Sequence, residues 1–218
     1  VWEIPEGSKV SKGRAIQNLI NIESGDTIRS VININNLTDE DYLNNNYLVM
    51  CTEAGTVKKT KLEAYSRPRV NGINAITIKE NDRLLDVKLT NGNNQIIIAK
   101  RSGKAINFHE SHVRPMGRTA TGVRGIKLEN GNDRVIGMVC VSREDSDLLV
   151  VSKNGYGKRS SYLDYRVTNR GGKGIIGIIN SPRNGNIASS LVVNESDEIL
   201  LSTDKGSIMR CAVKEIRI

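Results

Sequence analysis

Aromatic residues are scarce in this 218-residue chain: one Trp, one Phe and six Tyr make up 4% of it. Eight rings are too few for a platform on which single-stranded nucleic acid could stack. Histidine is rarer still. His109 and His112 stand three residues apart with no further histidine or clustered cysteine to complete a metal site, so they read as surface histidines beside Glu110. Cys51, Cys140 and Cys211 lie in or beside apolar runs and form no C-x-x-C pair, which points to reduced, buried thiols rather than disulfides or zinc. No apolar run approaches the roughly 20 residues that span a bilayer, and no signal-peptide pattern opens the chain; a soluble protein is expected. Long amphipathic helix patterns are missing as well, because Gly or Pro interrupts almost every window that could hold one.

Catalytic signatures are absent too: there is no G-x-S-x-G, no H-E-x-x-H and no carboxylate pair whose placement can be argued. Two near-motifs fail on context. Gly172-Lys-Gly-Ile-Ile-Gly177 satisfies G-x-G-x-x-G, with Glu195 beyond it, but a dinucleotide site needs a strand before the glycines and a helix N-terminus after them. Here Asn169-Arg170 precedes and Pro182 soon follows. Asn154-Gly-Tyr-Gly-Lys-Arg-Ser lacks the spacing of a phosphate loop. Neither a cofactor nor a metal is expected.

What the chain has is repetition. Leu148-Leu-Val-Val-Ser-Lys-Asn-Gly-Tyr-Gly-Lys-Arg159 is an apolar run, a polar turn with a glycine, and a basic second segment; the same design recurs at Tyr47–Lys59, Gln95–Phe108 and Glu198–Arg210. The turn glycines Gly55, Gly103, Gly155 and Gly206 follow one another at 48, 52 and 51 residues, an interval that marks a repeat architecture. A second shared feature is a glycine opening an apolar run, at Gly72, Gly125 and Gly174, and a third apolar run follows at Arg83 and Arg134. Each unit thus holds about four short strands, the content of a propeller blade, and the fold is expected to be all-β. Continuous runs such as Ile96–Ala99 predict strands buried on both faces.

The units fall at 47–94, 95–147 and 148–197, within a single repeat domain. Residues 1–46 read as the closing half of a blade plus a linker. In it Val1–Ile4 is a strand already under way, as in a piece of a longer chain; Arg14–Ile20 and Thr27–Ile34 are two late strands, and Asp39–Asp41 forms one helical turn. Residues 198–218 read as an opening half.

The charge is 32 Lys and Arg against 24 Asp and Glu, a net +8 with pI near 9.5, which suggests a polyanionic partner. Lys153 to Gly174 carries six cations and one acid. Basic residues recur in register: Lys58, Lys59, Arg67 and Arg69; Lys104, Arg114, Arg118 and Arg124; Lys158, Arg159, Arg166, Arg170 and Lys173. Stacked units would string them around a rim, suited to duplex DNA held by its phosphates.

These residues also carry a resemblance. Glu3-Ile-Pro-Glu with Lys12-Gly-Arg, Gly55-Thr-Val-Lys-Lys, the stretch Val113–Ile126 and Asn154-Gly-Tyr-Gly-Lys-Arg resemble, over essentially the whole chain, the C-terminal domain of bacterial DNA gyrase A. Thr168-Asn169-Arg170-Gly171-Gly172-Lys173-Gly174 resembles the gyrase A box, Q-R-R-G-G-K-G, keeping its last five residues. The resemblance implies a β-pinwheel, a propeller-like disc with strands shared between blades, of which this chain would hold about four four-stranded blades of six. It also implies sequence-nonspecific wrapping of double-stranded DNA, which would make the supercoiling of the parent ATP-dependent topoisomerase directional. The implied partners are the gyrase A N-terminal breakage-reunion region and gyrase B, and the implied place is the bacterial cytoplasm, at the nucleoid. The resemblance puts the box proper in an upstream blade, with 168–174 in the equivalent loop of a later one. Two rivals are the corresponding C-terminal domain of topoisomerase IV and a propeller that binds a protein partner.

Overall fold

The computed structural model describes residues 5–8, 10–18, 20–22, 25–69, 71–142 and 146–216; the strand expected at Val1–Ile4 lies outside them. The chain is all-β, with, among the described residues, one short helix, α1 (Glu40–Asn45), and five 3-10 turns. The side chain of Asp39 caps α1 by accepting from the Tyr42 N–H at 3.1 Å.

Each glycine turn closes an antiparallel hairpin: β1 (Tyr47–Thr52) with β2 (Thr56–Lys61), β4 (Gln95–Lys100) with β5 (Lys104–His109), β8 (Asp147–Ser152) with β9 (Gly157–Ser161), and β12 (Glu198–Ser202) with β13 (Ile208–Ala212). The third apolar run of each of the first three units adds to the first strand of its hairpin. These runs are β3 (Leu84–Thr90), β7 (Val135–Val141) and β11 (Ile187–Val193), each joining through a register shift near its start.

The fourth strand is borrowed. β6 (Val123–Arg124) follows the second hairpin in sequence yet pairs with β2 of the first, Val57 facing Val123; β10 (Ile175–Ile176) follows the third hairpin yet pairs with β5 of the second, Ala105 facing Ile175. The sheets are therefore β3-β1-β2-β6, β10-β5-β4-β7, β11-β8-β9 and β12-β13. Both joints use the same bonds: the Gly55 carbonyl accepts from the N–H groups of Gly125 and Ile126, and the Gly103 carbonyl from those of Gly177 and Ile178. Gly122 (φ 103°) and Gly174 (φ 78°) open the borrowed strands, and a Cβ on either would stand 2.6 Å from the Val57 or the Ala105 carbonyl oxygen, so only glycine fits there. The equivalent of Gly174 is thus Gly122, not Gly125, whose own role is to bond Gly55.

Alternation along each strand sends successive side chains to different neighbours. Ile96 and Ile98 pack with Val49, Cys51 and Val57 of the first sheet, whereas Ile97 and Ala99 pack with Leu148 and Val150 of the third. Leu149 packs with Ile199 of the last hairpin and with Val213 of the 3-10 turn after it. The cores lie between sheets, which is why β1 and β4 are buried almost throughout.

Three expected strands are not paired in sheets. Among the described residues of 14–20 only the 3-10 turn Ile16–Asn18 forms. Residues 27–34 lie against β3 through a side chain, the Ser30 hydroxyl donating to Asp86 at 3.1 Å and to the Val87 carbonyl at 3.2 Å. Residues 72–78 have the form of a borrowed strand, but among the described residues no hairpin precedes Tyr47 for them to join.

Candidate nucleic-acid interface

Strand order decides where the cations can be. β3, β7 and β11 occupy one edge of their sheets and pack on one another, while the borrowed strands β6 and β10 occupy the opposite, outer edge. To reach that edge the chain crosses from one sheet to the preceding one along the rim, from the 3-10 turn Glu110–His112 to β6 and from the turn Tyr162–Asp164 to β10. Both crossings touch the preceding hairpin in the same way, by the bridges Lys59–Pro115 and Asn107–Val167. Arg114, Arg118 and Arg124 ride on the first crossing, and Arg166, Arg170 and Lys173 on the second. Arg114, Arg124, Arg166 and Lys173 are exposed, as are Arg67 and Arg69 after the turn Leu62–Tyr65; Arg118 and Arg170 are half-buried.

Three of the expected DNA contacts are instead internal. Lys58 is 0% exposed, Lys59 4% and Arg159 4%. The Lys58 ammonium donates to the carbonyls of Ala75 and Arg118; withdrawal from water and the nearby Arg118 guanidinium push its pKa down to about 8. Lys59 donates to the Glu110 carbonyl at 3.0 Å and pairs with its carboxylate at 3.5 Å. Arg159 donates to the Val213 carbonyl at 3.3 Å and pairs with Asp147 at 3.4 Å. Glu110 and Val213 hold the same place in their units, the first residue of a 3-10 turn, and Asn107, at the position of Lys59, donates to the Tyr165 carbonyl at 2.8 Å. Recurrence at this position serves the packing of one unit on the next, because a long polar side chain there satisfies a turn carbonyl that would otherwise be buried unpaired.

Sequence reasoning used Glu110 only as the neighbour of two surface histidines. It is 0% exposed, accepting from Thr90 Oγ1 at 2.9 Å and the Asn94 N–H at 2.7 Å besides its tie to Lys59. Lys100 is likewise fully buried, bonded to the Lys127 carbonyl at 3.1 Å and paired with Asp133 at 3.4 Å. Lys104 stays half-exposed in an ion pair with Glu129, whose carboxyl it holds below the usual range. Lys158 is exposed and reaches the Gly177 carbonyl at 3.4 Å. Burial pushes the Cys140 thiol up to about 12 and raises that of Cys51; neither is poised to react.

The box-like loop is built for the joint. Thr168 N–H donates to the Asn107 carbonyl at 2.8 Å, Gly171 N–H to that of Gly125 at 2.6 Å, and the Gly172 carbonyl accepts from Lys127 N–H at 2.8 Å. Asn169 is exposed. The loop and β5 frame a shallow groove lined by Asn107, Arg166, Thr168, Asn169 and Lys173. Lys79 and Lys127, two exposed cations among those the sequence reading did not single out, line a second groove with Arg124.

Five stretches, 1–35, 46–91, 97–142, 146–194 and 197–218, match the family model described as DNA gyrase C-terminal domain, beta-propeller. The chain belongs to that family. The DNA gyrase A protein of Staphylococcus epidermidis strain ATCC 12228 is 43% identical over 216 residues, which is 99% of the chain and 24% of the relative; the chain spans about a quarter of the curated relatives it matches. The solved C-terminal domain of DNA topoisomerase IV superposes with a TM-score of 0.84 at 30% identity, covering 94% of the chain and 62% of that domain. The solved gyrase A C-terminal domain superposes at 0.81 and 26%, covering 94% and 67%. The borrowed strands are the joints of the propeller that the family's description names. No helix among the described residues is long and apolar enough to cross a membrane.

Proposed function

We propose that this chain binds duplex DNA along its rim without reading sequence, and wraps it. The observation that carries this is the coincidence of two things on the same segments: each crossing from sheet to sheet lies at the outer edge, and each brings an exposed arginine to the same place, Arg114 and Arg166. Arg67, Arg69, Arg118, Arg124, Lys104, Lys158 and Lys173 extend the band. A duplex following it meets a fresh set of phosphate contacts at every blade. Bending 20–30 bp by 40–90° costs roughly 1–6 kcal/mol, so a wrap needs such repeated contacts, each releasing counterions. In the parent gyrase the wrap would present a crossing of fixed handedness to the breakage-reunion region of gyrase A and, with gyrase B hydrolysing ATP, make negative supercoiling directional in the bacterial cytoplasm.

Two measurements test this. Binding of random-sequence duplex should weaken with salt, and R114A/R166A should flatten the log–log slope by roughly 1.8, two phosphates' worth; an unchanged slope would remove both from the DNA path. Closing nicked circles in the presence of the chain reads the wrap as a shift in linking number, and an unshifted distribution despite binding would leave binding without wrapping. The topoisomerase IV domain is the second reading, favoured by the likeness to that solved structure; an intact box upstream in the parent sequence would exclude it.

A further inference from the structure

Arg170 was expected to meet a phosphate, but its guanidinium is engaged elsewhere. Nε donates to the His112 carbonyl at 2.9 Å and Nη1 to the Arg124 carbonyl at 3.0 Å. His112 closes a 3-10 turn and Arg124 closes β6, so one side chain grips both ends of the preceding crossing. The backbone beside it makes the same connection, through Gly171 to Gly125 and Lys127 to Gly172. Thr77 N–H likewise meets the Ala120 carbonyl one unit earlier, at 3.4 Å, so successive crossings form one bonded ribbon along the rim.

We propose that Arg170 is a positioning residue: it clamps two successive crossings at a set angle, so that Arg114 and Arg124 on one and Arg166 and Lys173 on the next meet a curved duplex in phase. This rests on the DNA-binding reading. A planar guanidinium offers donors in a rigid fork and can hold two carbonyls that approach from different directions. A lysine ammonium keeps the charge but is a compact point on a flexible stem, and cannot span both. Charge and clamp are therefore separable by substitution.

The test uses R170K, R170A and K173A in the 218-residue chain, with R170Q replacing R170A should that fail to fold. Hydrogen exchange of the Gly171 and Lys127 amides, without DNA, should speed up about tenfold in R170K and R170A, the equivalent of about 1.4 kcal/mol, and hold in K173A. On a duplex of about 10 bp, one helical turn, R170A should change the salt slope by less than half of the roughly 0.9 that one phosphate contributes, whereas K173A should lose that amount. On a labelled duplex of about 30 bp, energy transfer between the ends should fall alike in R170K and R170A. If R170K bends DNA and protects the amides like the wild type, or R170A loses a full phosphate's slope, Arg170 is a phosphate contact and the clamp is refuted. Failure of the wild-type chain to bind either duplex would instead refute the DNA reading.

Discussion

The first and third hairpins carry cations at the same two positions and treat one of the two differently. Val150 faces Lys158 across β8 and β9 as Met50 faces Lys58 across β1 and β2. Lys58 donates to its own unit's Ala75 carbonyl and is roofed by the following crossing, through the Arg118 carbonyl, so it is lost to solvent; Lys158 makes the equivalent bond to its own unit's Gly177 carbonyl and, among the described residues, which stop at the following 3-10 turn, has no crossing over it and stands exposed. The neighbouring pair, Lys59 and Arg159, is buried in both, because the following 3-10 turn is present in both. Whether a lysine here is a surface charge or a core group is set not by its strand but by which piece of the next unit covers it.

The largest effect should come from emptying the covered side. Glu110→Ala leaves Lys59 its bond to the backbone carbonyl at that position but removes its buried counter-charge and, with it, the acceptor of Thr90 and Asn94, a loss of about 3–5 kcal/mol. Asp147→Ala in the third sheet, where Arg159 keeps its Val213 bond, should cost about 1–3 kcal/mol. Urea midpoints of the two variants decide this, and equal costs would remove the distinction between the units.

Next in size is the joint. A Cβ at Gly103 would stand 2.3 Å from the Ile178 carbonyl oxygen, whereas one at Gly155, with nearly the same φ, meets nothing within 4 Å. Both alanines carry the left-handed penalty of about 1–3 kcal/mol, but G103A should cost about 2 kcal/mol more because it must also part the borrowed strand. Thermal unfolding of the pair isolates the joint.

Smaller still is a dependence on pH. Lys58 has a folded pKa near 8 against an ordinary 10.5, so between those values the unfolded chain holds a proton that the folded chain has released. Stability therefore rises with pH through that window, by on the order of 1 kcal/mol once solvent screening is allowed for, and K58M should flatten the rise. Least of all, K158A should reduce the salt slope of DNA binding by about 0.9 while K58A leaves it alone; the reverse would mean that the roof over Lys58 opens when DNA arrives.

The hairpins were legible because a turn glycine between an apolar and a basic segment is local information, and so was α1, from Asp39 and the acids after it. Two kinds of feature were not. Lys58, Lys59, Lys100, Glu110 and Arg159 owe their burial to segments 27 to 60 residues away, and nothing in a charged run marks a later covering. Gly122 and Gly125 both precede apolar residues, so only the geometry of the joint shows which opens the strand. Residues 27–34 and 72–78 have strand composition but no ladder partner among the described residues, and composition alone cannot supply one.

The borrowed strands give the molecule a direction. A unit's sheet is completed by residues that leave the ribosome only after the next hairpin, so folding during synthesis must lag translation by about one unit. Damage is equally one-sided: removing a unit strips the outer strand from the one before it and leaves the hairpin after it whole. Protease nicks placed in successive turns should therefore loosen the chain toward its N-terminus, not its C-terminus, a polarity that a propeller of self-contained blades would lack.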